Sequence, residues 1–167
     1  THMPFDLEST YANFTSAQGL RPVAMGELRV EAALQAEDWG RAEQAFAELE
    51  RLDPSNAWLP VFAVRHFLGK NYEDNHQSWN LSREEHAHLK ANCETALERN
   101  PSSVWARLLD ARSDIAAEAT DERTLERLME VRELAPDLTQ PKYDLVYVLA
   151  KLGRVDEALH TVNSLLR

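Results

Sequence analysis

At 167 residues, 44% hydrophobic and 28% charged, the chain is long enough to bury one sizeable core, and a single domain is the expectation. A formal net charge of −10 argues against nonspecific binding to nucleic acid or to an anionic membrane, since both need a positive field. Cys93 is the only cysteine, so no internal disulfide can form. No run of eighteen apolar residues and no charged-then-apolar leader occurs, which points away from membrane insertion and makes a cytoplasmic location the expectation.

Thr1, His2 and Met3 read as a cloning remnant. Residues 4–20, PFDLESTYANFTSAQGL, carry a partial helical stripe of Phe5, Leu7, Tyr11 and Phe14 before Gly19, and are expected to form an N-terminal arm or a capping helix. Beyond them strand signals are scarce. There are five glycines, no Asn-Gly or Asp-Gly turn, and apolar residues recur at three and four rather than two, so the chain reads as all-helical.

The first clear unit is LRVEAALQAEDWGRAEQAFAELERLDP. Leu28, Ala32 and Ala33 share one helical face, a turn follows at Asp38, and Ala42, Phe46 and Leu49 stand four and three apart before Pro54. The unit closes with ELERLDPSNAW, and the phrase returns later as LERNPSSVW. Pro54 and Pro101 lack an amide hydrogen and push the preceding residue out of helical geometry. Ser55 and Asn56, like Ser102 and Ser103, then offer oxygens to the free amides of a new helix near Trp58 or Trp105.

The second unit predicts a helix over AWLPVFAVRHFL with Pro60 in its first turn, then a long polar and aromatic turn from Gly69 to Leu81 that contains Tyr72 and Trp79. Ser82, in SREE, reads as a capping box opening a helix through Leu89, Cys93, Ala96 and Leu97. In the third unit Trp105, Leu108, Leu109 and Ile115 mark one helix, and Leu125, Leu128, Val131 and Leu134 mark the next, before Pro136. The last unit has Leu145, Val146, Leu149 and Leu152, a break at Gly153, and a helix from Asp156 through Ala158, Leu159, Val162, Leu165 and Leu166. Its short turn makes the two helices antiparallel.

Ala42, Phe46, Leu49 and Pro54 fit one register: a small residue after a turn, a bulky one four later, an apolar one three after that, and a Pro five further on. Ala158, Val162 and Leu165, after the turn at Gly153, repeat it as far as the sequence runs, which stops before the Pro position. In this the chain resembles tetratricopeptide repeats. Pro54 to Pro101 is 47 positions and Pro101 to Pro136 is 35, so the second unit carries an insertion, and Thr124 stands where the motif expects Ala. The resemblance implies a right-handed superhelical stack of antiparallel helix pairs over residues 21–167, with units at about 23–56, 57–103, 104–138 and 139–167. It also implies a protein–protein interaction module.

The residues themselves offer no chemistry to set against that. No phosphate loop, paired-Cys site or nucleophile elbow occurs, so no catalysis, cofactor or metal is expected. His76, Glu84, Glu85, His86, His88 and Cys93 are the best metal candidates, but Cys93 falls on a core position and the histidines read as solvated. In a stack of helix pairs the first helices line the concave side. Trp58, Phe62, Arg65, Leu109, Arg112, Tyr143 and Tyr147 are the expected partner-binding residues there, holding a peptide or helix with apolar side chains and a carboxylate, with Tyr72 and Trp79 folding over it. Glu27 and Glu31, with Val61 and Val146, occupy or adjoin the places where chaperone-binding members of the family hold a terminal carboxylate with Lys and Asn, so that clamp is not expected. A small acidic chaperone of the secretion type, and a regulatory or docking part of a larger enzyme, are the alternative readings.

Overall fold

The computed structural model describes residues 22–74 and 81–165. Among them eight α-helices follow in order, with no strand: α1 (Pro22–Gln35), α2 (Trp39–Leu52), α3 (Leu59–Asp74), α4 (Arg83–Arg99), α5 (Val104–Ala116), α6 (Glu122–Leu134), α7 (Gln140–Lys151) and α8 (Val155–Leu165). Residues 4–20, Trp79 and the side chain of Leu165 lie outside what is described.

Helix boundaries follow local chemistry. Ser103 Oγ accepts from the Ala106 amide at 3.2 Å, and Asn56 Oδ1 accepts from the Trp58 amide at 2.9 Å, so the two Pro-Ser phrases restart helices as their sequences require. Ser82 and Glu85 bond to each other's backbone amides, completing the capping box. At the end of α7 the chain turns on Gly153, whose φ of 75° is open to glycine, and the Arg154 amide reaches back to the Leu149 carbonyl at 2.8 Å. Glu37 and Glu118 make the same reversal after α1 and α5 at φ 54° and 53°, where a side chain is strained.

The first helices α1, α3, α5 and α7 lie side by side; α2, α4 and α6 each pack between the first helix of their own pair and that of the next, and α8 packs on α7. Three apolar clusters run through the stack. Val30, Leu34, Ala42, Leu49 and Phe62 hold the first pair to α3; Val64, Leu89, Cys93 and Leu109 join α3, α4 and α5; Leu108, Leu128, Val131, Leu145 and Val148 join α5 to the last pair. Helices α3 and α5 each serve two clusters, which is the nearest-neighbour design of a repeat array.

Two expectations change. Gly69 does not end α3, which continues to Asp74 and carries Tyr72 as a helical residue. A Cβ on Gly69 would stand 2.4 Å from Trp39 Cη2, so the glycine admits the indole of α2 rather than breaking the helix. Trp39 Nε1 bonds Glu73 and Lys70 Nζ meets Glu43 at 3.2 Å, which fastens the added turn to α2. Second, Phe46 is half-buried where its counterpart Leu128 is fully enclosed, because the space beside Phe46 is an open cleft.

Candidate functional site: the wall of first helices

The repeat places equivalent side chains in rows along the first helices. Trp58 and Arg65 stand seven apart on the α3 segment, as do Trp105 and Arg112 on α5. The place that Arg65 and Arg112 hold is taken by Glu31 on α1 and by Tyr147 on α7, with Tyr143 one turn before it.

Contacts within this wall satisfy its charges internally. Arg65 Nη1 bonds Glu31, and its guanidinium lies 5.2 Å from the centre of the Trp105 ring. Arg112 Nε faces Asp144 Oδ2 at 3.5 Å across the α5–α7 boundary. Gln140 Nε2 donates to Asp144 Oδ1 at 3.0 Å. Burial pushes the Asp144 carboxyl above its ordinary range, and Arg112 and Gln140 pull it partly back. Glu27 Oε1 accepts from Asn56 Nδ2 at 2.7 Å, tying α1 to the connection before α3.

The expected site residues therefore divide. Phe62 and Leu109, each 3% exposed, are core residues that hold neighbouring units together, so they present no surface. Arg65 and Arg112 sit on the wall but are matched by Glu31 and Asp144, so they are not two open forks waiting for a carboxylate. Trp58, Tyr143 and Tyr147 are 37%, 58% and 39% exposed. Trp58 stacks on Phe62 at 6.0 Å between ring centres, and Lys151 Nζ lies 5.5 Å from the Tyr147 ring. Tyr72 is exposed at the far end of α3.

Cys93 is buried in the core, and burial pushes its thiol up to about 12, which leaves it without thiolate character. His86 is not merely solvated: its Nε2 meets Asp114 Oδ1 at 2.9 Å. No group of metal-ligating side chains gathers among the described residues.

What the sequence reading passed over is a buried ionic cluster. Asp110 and Asp114, one helical turn apart on α5, are both 6% exposed. Arg127 Nε bonds Asp110 at 2.7 Å and its Nη1 bonds Asp114 at 2.9 Å. Lys90 Nζ bonds Asp110 and stands 3.0 Å from Asp114, which also accepts from Thr124 Oγ1 at 3.0 Å. The signal was present: Asp110 and Asp114, four apart, share a helical face with the apolar Ala106 and Leu109, and a buried face demands partners. Thr124 also resolves its own anomaly. It takes the place of the motif Ala because it caps α6 with Asp121 and bonds Asp114 at once.

No protein-family model matches the sequence, and no curated protein matches it. Among solved structures, the chain is similar to the TPR2AB domain of yeast Sti1 in complex with pHSP90, at 16% identity and a TM-score of 0.51. The fold is that of tetratricopeptide repeat domains. That match takes in 93% of this chain and 53% of the other, so the chain spans about half the length of its neighbour. The TPR2B domain of yeast Sti1 in complex with pHsp70 also matches, at 16% identity, a TM-score of 0.49, 85% of this chain and 96% of that one. Among the described residues no helix of the repeat stack is long and apolar enough to cross a membrane.

Proposed function

We propose that this repeat stack is a protein–protein interaction module, which holds a peptide or helical segment of another protein in a concave groove lined by its first helices. The observation that carries the reading is the contrast along that wall. Its arginines are matched by carboxylates of the same chain, whereas the rings of Trp58, Tyr143 and Tyr147 keep large exposed faces. Flat, stiff aromatic surface is what an interface centre uses, because it buries much area while ordering few torsions. The partner segment is held by apolar or aromatic anchors on these rings, with charge setting register rather than strength. Binding is the activity that these rings serve. The complex of the similar yeast TPR2AB domain with pHSP90 supports a protein partner.

Selection of a displayed random-peptide library against the intact chain tests this. Enriched peptides should share apolar anchors and should lose at least tenfold in affinity for a Tyr143→Ala, Tyr147→Ala double variant, whose melting temperature should be unchanged. Peptides that bind the double variant as tightly as the parent would remove this wall from consideration.

A further inference from the structure

On the wall of first helices the chain builds one arginine cradle from its own residues. Arg65 Nη1 bonds the Glu31 carboxylate of α1, while its guanidinium lies 5.2 Å from the centre of the Trp105 ring in the first turn of α5. A flat guanidinium suits both neighbours at once, since its edge carries the donors that a carboxylate accepts and its face is attracted to an indole.

The same two kinds of neighbour meet one unit earlier without the arginine. Trp58 holds in the second unit the place that Trp105 holds in the third, and Glu27 stands one helical turn before Glu31 on α1. A single side chain joins them: Asn56 Nδ2 donates to Glu27 Oε1 at 2.7 Å, and Asn56 Oδ1 accepts from the Trp58 amide at 2.9 Å. The neutral amide satisfies one carboxylate oxygen but leaves the charge in place, and among the described residues no cation pairs with Glu27. Arg99 Nη1 donates instead to the Asn56 carbonyl at 2.9 Å. Glu27 is half-buried, and Trp58, with one face turned to Phe62, is 37% exposed, so both stay within reach of a side chain entering the groove.

Given the peptide-binding wall proposed above, on which this assignment depends, we propose that Trp58 and Glu27 take an arginine of the partner segment and so fix that segment's register. The guanidinium bonds the unbalanced carboxylate and stacks on the open indole face, repeating with a partner's arginine what Arg65 does with Glu31 and Trp105. A lysine would keep the charge but lose the fork and the flat face. The net charge of −10 favours the approach of a basic segment.

Peptides enriched from the displayed random library against the intact chain should share an arginine at a fixed spacing from their apolar anchors. In a synthetic copy of one of them, replacing that arginine by citrulline, which keeps the shape and removes the charge, should weaken binding about tenfold. Glu27→Gln keeps the acceptor for Asn56 and should bind the arginine and citrulline peptides within about twofold of each other. Trp58→Leu keeps apolar bulk on Phe62 and should bind the arginine peptide about threefold more weakly than the parent does. Enriched peptides without a fixed arginine overturn the assignment, as does a citrulline penalty that survives in Glu27→Gln; the wall itself still stands if those peptides lose affinity for the Tyr143→Ala, Tyr147→Ala variant. Peptides whose arginine depends on Glu27 but which ignore that double variant support the cradle and remove the tyrosines. Enrichment of no peptide overturns both.

Discussion

The joint between the first and second units and the joint between the second and third use the same register to different effect. Ala42, Phe46, Leu49 and Pro54 share the spacing of Leu89, Cys93, Ala96 and Pro101, and of Thr124, Leu128, Val131 and Pro136. At the first joint Phe46 stands half-exposed over a cleft of about 220 Å³, and the ionic contacts are peripheral, with Arg29 and Glu48 paired at 3.0 Å while 53% and 42% exposed. At the second, two buried aspartates of α5 are clasped by Lys90 of α4 and Arg127 of α6. The repeat spacing sets which residues face inward; it does not set how tightly the joint closes. Volume at the bulky place and the polarity of the first helix decide that.

Breaking the ionic cluster should have the largest effect on this contrast. Asp114→Ala removes the acceptor shared by Lys90, Arg127, His86 and Thr124, and leaves two cations facing the core with half their partners gone. A loss of about 3 kcal/mol is expected, at the low end for a buried pair because Lys90 and Arg127 keep some contact with water. The midpoint of urea unfolding checks it, and a loss under 1 kcal/mol would show that the cluster does not hold the joint.

Matched truncations sharpen the comparison. Leu128→Ala empties a fully enclosed site and should cost about 3–4 kcal/mol. Phe46→Ala, at the equivalent place beside an existing cleft, should cost only about 1–2 kcal/mol even though the side chain is larger. Equal losses in urea denaturation would mean that the first joint is as closed as the one between the third and fourth units, where Leu128 packs.

Turns between paired helices offer a smaller contrast of the same kind. Gly153→Ala should destabilise by about 1 kcal/mol, and Glu118→Gly should stabilise by about 0.5–1 kcal/mol, since both sites hold a left-handed backbone. Thermal melts of the two variants should therefore shift in opposite directions.

Asp144 gives the smallest expected effect and one that depends on pH. Its carboxyl is raised above the ordinary value of 3.8 in the folded chain, mainly by burial. The folded state therefore holds that proton more firmly than the unfolded state, and the stability this contributes is full below 3.8 and lost as pH rises through the raised value. An Asp144→Asn variant does not titrate, so its stability relative to the parent should rise across that interval. Urea midpoints taken from about pH 3.5 to 7 check the sign.

Local chemistry determined a good deal from the sequence alone. Prolines, caps and apolar spacing dictated helices, their restarts and the inward places of Ala42, Leu49, Cys93 and Ala158, because those rules act within a few residues along the chain. Only the tertiary structure decided what stands opposite each residue. Gly69 read as a stop until Trp39 of another helix filled the space above it. Arg65 and Arg112 read as free cations until Glu31 and Asp144 were brought against them. Phe62 and Leu109 read as wall residues until neighbouring units closed over them, and Asp110 and Asp114 gained their meaning only from Lys90 and Arg127. Burial and charge pairing are relations between distant segments, and no window along the chain contains both partners.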